Sequence, residues 1–174
     1  ESTPPAPALS YGAHKLMAEI QLADLSRRDL LDGLSLRLPG IVARPPSTTG
    51  HGSAFMSELI RRLRAGEPYD CPVSAVARCW WMSRRCCVSN LLHAAGIDTQ
   101  RLPPQRVVQL PVIAATVHEV AMAAADQAPQ VRYQPDERLE AVFGRMPALH
   151  APQARELGFV DDGSLDNLVN NAPA

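Results

Sequence analysis

The sequence predicts an α/β fold, and its opening segment gives the clearest reason. A long helix, a short turn that contains Gly33 and an alternating, strand-like segment follow one another, as in the second half of a parallel strand–helix–strand unit. Farther along the chain, residues that favour helix starts alternate with short apolar segments, so helices and strands are expected to keep alternating. The strand that would precede the first helix is not within the sequence, so we expect this unit to be incomplete.

The first helix is expected at residues 11–31, directly after a proline-rich approach. Ser10 is expected to cap its start, and Gly33 to follow its end. Its apolar residues cover two adjacent faces, which predicts contacts on more than one side of the helix. A strand is expected at 34–38, leaving through a bend at Pro39.

Later elements are predicted from helix caps and from short extended segments. The expected helices are 53–63, 83–95, one that follows Thr116, 151–157 and 164–170. The expected extended segments are 69–76, 106–110 and 131–133. Ser53 and Ser83 are the expected caps of the first two of these helices, and Thr116 with Glu119 has the spacing of a capping box.

The composition excludes several classes of protein. Of the 174 residues, 46% are hydrophobic and the formal net charge is -1, so no basic surface for nucleic acid is expected. No apolar run approaches the roughly 18–20 residues that cross a bilayer, and residues 1–10 lack the features of a signal peptide, so the cytoplasm is the expected compartment. The four cysteines lack metal-site spacing, and we expect them to be reduced, packed thiols.

Tyr11 and Lys15 are four residues apart at the start of the first predicted helix, and Lys15 is the single lysine of the chain. Side chains at this spacing project from one face of a helix, so the phenol and the ammonium can share a site. A nearby ammonium favours the phenolate form, which can take a proton from an alcohol while hydride leaves for a nicotinamide. The alternative is an ordinary first-turn tyrosine beside a solvated lysine, and the spacing alone leaves both interpretations open.

The order of motifs around this pair resembles that of the extended short-chain dehydrogenases/reductases, the NAD-dependent epimerase/dehydratase family. Residues 10–15 match the family's S-Y-x-x-x-K motif, and residues 36–41 match its L-R-x-P-x-I/V strand. The resemblance implies an incomplete Rossmann-type domain, a doubly wound parallel sheet lacking its N-terminal nucleotide-binding half, plus a small mixed α/β substrate domain. The implied segments are 1–47 for the Rossmann part with the Tyr-Lys helix, 48–82 for a substrate-domain segment, 83–112 for a return to the Rossmann core, and 113–174 for the remaining substrate domain.

The resemblance also implies residues that would hold the cofactor, NAD or NADP. Tyr11 would be the proton acceptor or donor, and Lys15 would hold the ribose hydroxyls of the nicotinamide nucleoside and support Tyr11. Backbone groups of Pro39 and Ile41 would lie near the nicotinamide carboxamide. The family's glycine-rich phosphate loop and its catalytic serine match no segment of this sequence. The family's counterpart of the first helix forms a dimer interface, so a homodimer of the full-length protein is implied.

The substrate side is represented by residues 78–85, which are similar to the R-H-W-H-A-S-P-R segment of a smaller group in the family, the D-erythronate dehydrogenase-like enzymes. Arg78 and Arg85 match that pattern and would bind a sugar acid, since a guanidinium can hold a carboxylate through two hydrogen bonds. Ser53 lies in a segment that resembles the group's substrate-side loop. The alternatives are that Ser53 only caps its helix and that Arg85 is a solvated residue at a helix start.

The sequence thus predicts an NAD(P)-dependent oxidoreductase that oxidises a small hydroxy acid, expected to be D-erythronate, to its 2-oxo product. Three alternatives stay open: a nucleotide-sugar epimerase or dehydratase, an NAD-binding regulator without turnover, and a catalytically inactive fragment. The expected partners are a small-molecule substrate and a second copy of the full-length protein, with no metal, nucleic acid or membrane.

Overall fold

A computed structural model describes residues 2–42, 52–128 and 130–172. It is an α/β structure in which helices surround short strands. In chain order the elements are α1 (Ser10–Arg27), β1 (Ser35–Arg37), β2 (Gly40–Val42), α2 (Ala54–Arg64), β3 (Tyr69–Cys71), β4 (Arg78–Ser83), α3 (Arg84–Ala95), a 3₁₀ helix (Thr99–Arg101), β5 (Val107–Gln109), β6 (Ile113–Thr116), α4 (Val117–Ala124), β7 (Val131–Tyr133), α5 (Glu137–Phe143), α6 (Pro152–Glu156) and α7 (Leu165–Asn170).

Among the described residues, the strands form three small sheets. In the first, β1 pairs with β5 in parallel; in the second, β4 lies between parallel β2 and antiparallel β6; in the third, β3 pairs with β7 in parallel. Because β1 and β2 pair with different strands, the chain passes from the first sheet to the second at Leu38 and Pro39. This passage places the residues between β1 and β2 at a junction of sheets.

The C-terminal end of α1 differs from the prediction. The helix ends at Arg27 rather than near Gly33, because Asp29 adopts the left-handed backbone conformation with a φ of 56°. The amide of Leu30 then donates to the carbonyl of Leu25 at 3.0 Å. This hydrogen bond ends the helix in the way that is usual when a glycine adopts the left-handed conformation. Aspartate tolerates this conformation better than most residues, and for that reason no glycine marks the helix end in the sequence.

Two predicted helix caps, at Ser83 and Thr116, are confirmed, and Ser164 forms a third that was not predicted. The Ser83 hydroxyl accepts a hydrogen bond from the amide of Cys86 at the start of α3, and Ser164 caps α7 in the same way. Thr116 and Glu119 form the reciprocal capping box of α4. These caps fix the directions in which three helices leave their preceding segments.

Two other predicted caps are wrong. Ser10 is the first residue of α1, and Leu9 stands at the N-cap position without a side-chain hydrogen bond. Ser53 does stand at the N-cap position of α2, but its side chain makes no capping hydrogen bond to that helix. Its backbone φ of -85° and ψ of 2° are not the extended values of a typical N-cap, which turns the hydroxyl away from the first helical amides.

Two strands and one helix were not predicted: β4, β6 and α5. In β4, Cys79 and Trp81 face one hydrophobic core, and Met82 faces the other. At the C-terminal end of the strand Trp81, Met82 and Ser83 are all buried, so the polar–apolar alternation that identifies a strand in a sequence is lost there. The proposed segments 1–47, 48–82, 83–112 and 113–174 stay a prediction; the first boundary lies outside the described residues, and β4 runs one residue past the second.

The two hydrophobic cores lie on opposite sides of β4. One core includes Leu59 of α2, Trp81 of β4 and Val120 of α4, all fully buried. The other includes Met82 and Phe159 and packs α3 and α6 against the first sheet. Burial of side chains of this size contributes about 1.5–3 kcal/mol each, so both faces of β4 are held firmly.

The four cysteines are buried, as predicted. Burial raises the pKa of Cys71 to about 11 and those of Cys79 and Cys86 to about 12, and it also raises the pKa of Cys87. Thiols with such values stay protonated near neutral pH and are poor nucleophiles. Within the described segments, no helix combines the length and the apolar character needed to cross a membrane.

Candidate functional site

Tyr11 and Lys15 lie in the first two turns of α1, and their side chains contact each other. The Nζ atom of Lys15 lies 5.5 Å from the centroid of the Tyr11 ring. The Tyr11 side chain is 73% exposed, and Lys15 is exposed as well. The phenol and the ammonium are therefore adjacent on one helix face and accessible to a small molecule.

A partly buried ion pair between Glu19 and Arg37 joins α1 to β1. The carboxylate of Glu19 accepts hydrogen bonds from Nε and Nη2 of Arg37 at 2.8 and 2.7 Å. The Glu19 side chain is 14% exposed and that of Arg37 is 34% exposed. The hydrogen bonds that Arg37 donates to Glu19 raise the pKa of Arg37 above its ordinary value. Arg37 belongs to the strand motif predicted to lie beside the cofactor, but nothing in the sequence marks Glu19 as its partner.

Pro39 and Ile41 flank Gly40 at the passage between the two sheets. Gly40 opposes Trp81 in the β2–β4 ladder, and a Cβ atom at Gly40 would lie 2.8 Å from the carbonyl oxygen of Trp80. Only glycine permits this close approach of two backbones. The predicted cofactor-side backbone at Pro39 and Ile41 is thus held tightly against β4.

Arg78 and Trp80 project from the same face of β4, since alternate residues of a strand point to one side. Nη1 of Arg78 donates to the carbonyl of Ala114 at 2.9 Å, and Nε1 of Trp80 donates to the carbonyl of Pro147 at 2.8 Å. Trp80 also lines a groove of about 820 Å³ that runs beneath α1. The remaining lining comes from the N-terminal approach, α1, the first sheet and the segment before α6: Ser2, Thr3, Pro4, Pro5, Leu16, Glu19, Ile20, Ala23, Arg37, Pro103, Gln105, Val107, Gln109, Pro147, Ala148, Leu149, His150 and Gln153.

The structure does not bring all the predicted substrate-binding residues together. Arg78 begins β4, whereas Arg85 lies in the first turn of α3, beyond the other end of that strand. The strand rises about 3.3 Å per residue, so its two ends are roughly 16 Å apart along the backbone. Arg85 is exposed. Ser53 is half-buried just before α2 and takes part in interactions of its own.

Two buried polar residues near the start of α3 were missed by the sequence analysis. The Asp162 carboxylate accepts hydrogen bonds from the backbone amide and the hydroxyl of Ser83 at 2.8 and 2.5 Å. The Asn90 side chain donates to the carbonyl of Val160 and accepts from its amide, at 2.8 and 3.1 Å. Asn90 could have been suspected as a polar residue on the inner face of a predicted helix, but nothing in the sequence marked Asp162. Together they bind the C-terminal segment to α3.

A metal centre finds no support in the described residues, where no group of three or more histidine, cysteine, aspartate or glutamate side chains is placed to hold an ion. The candidate site carries a phenol, an ammonium and guanidinium groups. These groups suit proton transfer and the binding of an anion.

Comparison with known proteins gives relatives of one kind. No family model matches the chain. It is 36% identical over 169 residues to a D-erythronate dehydrogenase of Cupriavidus necator, covering 94% of this chain and 52% of that protein. It is 29% identical to a D-erythronate dehydrogenase of Haemophilus influenzae, covering 97% of this chain and 56% of that protein. The chain thus spans about half the length of these curated relatives.

Solved structures agree with these relatives. The crystal structure of a nucleoside-diphosphate-sugar epimerase from Agrobacterium tumefaciens superposes with a TM-score of 0.85 at 32% identity, covering 97% of this chain and 51% of that chain. An L-threonine dehydrogenase from Cupriavidus necator has a TM-score of 0.86 at 20% identity, covering 98% and 56%, and shows the likeness of the fold alone. The chain belongs to the NAD-dependent epimerase/dehydratase family, the extended short-chain dehydrogenases/reductases, and is similar to the D-erythronate dehydrogenases within it.

Proposed function

We propose that this chain is the substrate-side part of an NAD(P)-dependent dehydrogenase that oxidises D-erythronate, or a small hydroxy acid like it, to the 2-oxo acid. The observation that carries the proposal is the contact between the Tyr11 phenol and the Lys15 ammonium on an accessible helix face. The names of the two curated relatives support this choice of substrate. The parallel pairing of β1 with β5 supports an incomplete Rossmann-type domain, accompanied by a small mixed α/β substrate domain.

In this proposal Tyr11 is the catalytic base. Its phenolate takes the proton of the substrate hydroxyl, the hydroxyl oxygen forms the new C=O bond, and the hydrogen on the same carbon leaves as hydride. Lys15 supports Tyr11 by placing its ammonium 5.5 Å from the centroid of the Tyr11 ring, beside the reacting group. In the reverse direction the Tyr11 phenol returns the proton to the carbonyl oxygen.

NAD or NADP supplies the hydride acceptor when it is bound. Lys15 would hold the ribose hydroxyls, and backbone groups of Pro39 and Ile41 would hold the carboxamide. Tyr11 and Lys15 fit this role because both are exposed on one face of α1 and leave room for a ligand beside them. The tight packing at Gly40 suits Pro39 and Ile41 to the same role, because their backbone cannot shift away from β4.

Arg78 is the proposed anchor for the substrate carboxylate. It shares a strand face with Trp80, which lines the groove beneath α1, and a guanidinium can bind a carboxylate through two hydrogen bonds. Arg85 lies beyond the other end of β4, and its role and that of Ser53 in substrate binding stay predictions.

The test is an assay of the longest polypeptide that contains this sequence, with NAD or NADP and D-erythronate. We expect reduction of the nicotinamide with D-erythronate, a fall of at least about 100-fold in kcat for Tyr11→Phe, and a rise in KM with a smaller change in kcat for Arg78→Met. Tyr133→Phe is the matched control, since it removes a phenol away from α1. Equal turnover by Tyr11→Phe and the unsubstituted protein would refute the proposal.

A nucleotide-sugar epimerase is the second candidate, favoured by the 32% identity to the Agrobacterium tumefaciens structure named as such. The same Tyr11 chemistry would serve it, so the substrate decides between the two. Parallel assays with UDP- and dTDP-sugars separate them: turnover of the sugars alone rejects the dehydrogenase. A homodimer of the full-length protein and a cytoplasmic location complete the proposal.

A further inference from the structure

α1 carries the candidate catalytic pair but has little apolar packing to hold it. Ser26, near its C-terminal end, is the one residue of α1 that is buried. Met17 and Ile20, in the middle of the helix, are 66% and 63% exposed. A helix whose apolar side chains are exposed in this way is free to roll or tilt unless polar contacts fix it.

Two polar contacts do fix α1, and they lie at different places along it. Near its C-terminal end, the Ser26 hydroxyl accepts a hydrogen bond from the amide of Gly33 at 3.1 Å. In the middle, Glu19 accepts two hydrogen bonds from Arg37. Glu19 is one helical turn after Lys15 and two turns after Tyr11, so its contact lies nearer the catalytic pair.

The other partner of this contact leads directly to the candidate cofactor residues. Arg37 is the last residue of β1 and is followed after one residue by Pro39. A guanidinium held through Nε and Nη2 has one allowed orientation relative to the carboxylate, unlike a single hydrogen bond. The pair therefore sets both the distance and the rotation of α1 relative to β1.

We propose that Glu19 and Arg37 are positioning residues that hold Tyr11 and Lys15 in register with Pro39 and Ile41. This inference rests on the proposed function for its catalytic consequence. The contact between α1 and β1 can be tested without it. Neither side chain touches the reacting atoms; each acts by keeping the catalytic helix in place.

The first test measures amide hydrogen exchange in the 174-residue chain by mass spectrometry. Glu19→Gln removes the charge and one acceptor oxygen, and we expect exchange in α1 peptides to become at least about 10-fold faster. Asp70→Asn is the matched control, because Asp70 accepts two hydrogen bonds from Arg132, at 2.8 and 2.6 Å, far along the chain from α1. We expect it to leave α1 unchanged.

A charge reversal keeps this test informative if single variants fold poorly. Glu19→Arg and Arg37→Glu alone should each loosen α1, and the double variant should restore at least part of its protection. Unchanged α1 exchange in Glu19→Gln, or a double variant no better than either single one, overturns the inference.

The second test measures kinetics in the longest polypeptide that contains this sequence. Glu19→Gln should lower kcat by about 10- to 100-fold, since a misplacement near 1 Å costs about that much, and should change KM for D-erythronate less than about threefold. Arg37→Lys keeps the charge but loses one of the two hydrogen bonds to Glu19, and it should lower kcat to a similar extent. Asp70→Asn should change neither constant.

The outcomes separate this inference from the proposed function. If the unsubstituted protein turns over neither D-erythronate nor nucleotide sugars, the proposed function fails. The hydrogen-exchange result alone then supports or overturns the role of Glu19 and Arg37 in holding α1 against β1. If it is active, and Glu19→Gln loosens α1 without lowering kcat, the positioning role is overturned while the proposed function stands.

Discussion

At the scale of single residues, the capping carboxylate of Glu119 makes the stability of the fold depend on pH. Its carboxylate accepts from the amide and the hydroxyl of Thr116 at 2.6 and 2.8 Å. These hydrogen bonds hold the pKa of Glu119 below its ordinary value. A carboxyl group with a lowered folded-state pKa adds stability above its unfolded pKa and loses that contribution as pH falls through the folded value.

We therefore predict that Glu119→Gln lowers the melting temperature near neutral pH and that the difference shrinks as the pH falls below 4.5, the ordinary pKa of a glutamate. Thermal unfolding followed by circular dichroism across this range provides the measurement. Glu137→Gln is the control, since Glu137 lies in the first turn of α5 without a capping box. A difference that stays constant with pH would contradict the assigned cause.

The residue scale also shows where sequence patterns were sufficient. Ser83 and Thr116 were predicted as caps and are caps, because a cap depends on residues three positions away. The predicted Tyr11–Lys15 contact follows from helix geometry in the same way. Asp29 was missed, because its left-handed conformation shows in the backbone and not in its residue type.

At the scale of elements, α3 is tied to the C-terminal segment by a buried carboxylate. Asp162 is 7% exposed, and both of its oxygens accept hydrogen bonds from Ser83, which itself is fully buried. A negative charge at this position also stabilises the N-terminus of α3, which begins with two arginines that the helix dipole disfavours. Asp162 thus offsets an unfavourable local sequence.

We predict that Asp162→Asn destabilises the chain by about 1–3 kcal/mol, because one oxygen that accepts a hydrogen bond becomes a donor in a buried site. Denaturant unfolding gives the free energy, and Asp126→Asn, an exposed aspartate, should stay within about 0.5 kcal/mol of the unsubstituted chain. A loss no greater than that of the control would show that the buried contact is not needed for stability.

The elements themselves differed in how readily they could be predicted. α2, α3 and α4 were anticipated because their apolar residues recur with the helical period or follow a cap. β4 was not, because three successive buried residues at its C-terminal end, Trp81, Met82 and Ser83, break the alternating pattern. Trp81 and Met82 were visible in the sequence, but only the packed structure assigns them to opposite cores.

At the scale of the whole molecule, the exposed apolar residues of α1 are the proposed dimer interface. We predict that replacing Met17 and Ile20 together by glutamate shifts the longest polypeptide that contains this sequence from dimer to monomer, since charges are costly to bury in an apolar interface. Sedimentation velocity measures the change. Leu92→Glu, at a 71% exposed position on α3, is the control, and an unchanged dimer in the double variant would place the interface elsewhere.

A second whole-molecule prediction concerns the 174-residue chain by itself. Its sequence contains neither a G-x-G-x-x-G nor a G-x-x-G-x-x-G motif, the glycine patterns that bind a pyrophosphate in this family. We therefore expect its Kd for NAD to be weaker than about 100 μM by calorimetry, because the contacts proposed for Lys15 and for the backbone at Pro39 and Ile41 would reach only the nicotinamide end of the cofactor. Binding at low micromolar concentration would reveal a phosphate site that the sequence does not display.

The sequence by itself determined the α/β class, most helix starts and the adjacency of Tyr11 and Lys15. Each of these depends on residues within one or two turns of the chain, so local spacing carries the information. Tertiary structure alone decided that Glu19 pairs with Arg37, that Asp162 binds Ser83, and that Arg78 and Arg85 lie beyond opposite ends of the β4 interior. Those relations join residues far apart in the chain or depend on an unpredicted strand, and only the packing of elements around β4 fixes them.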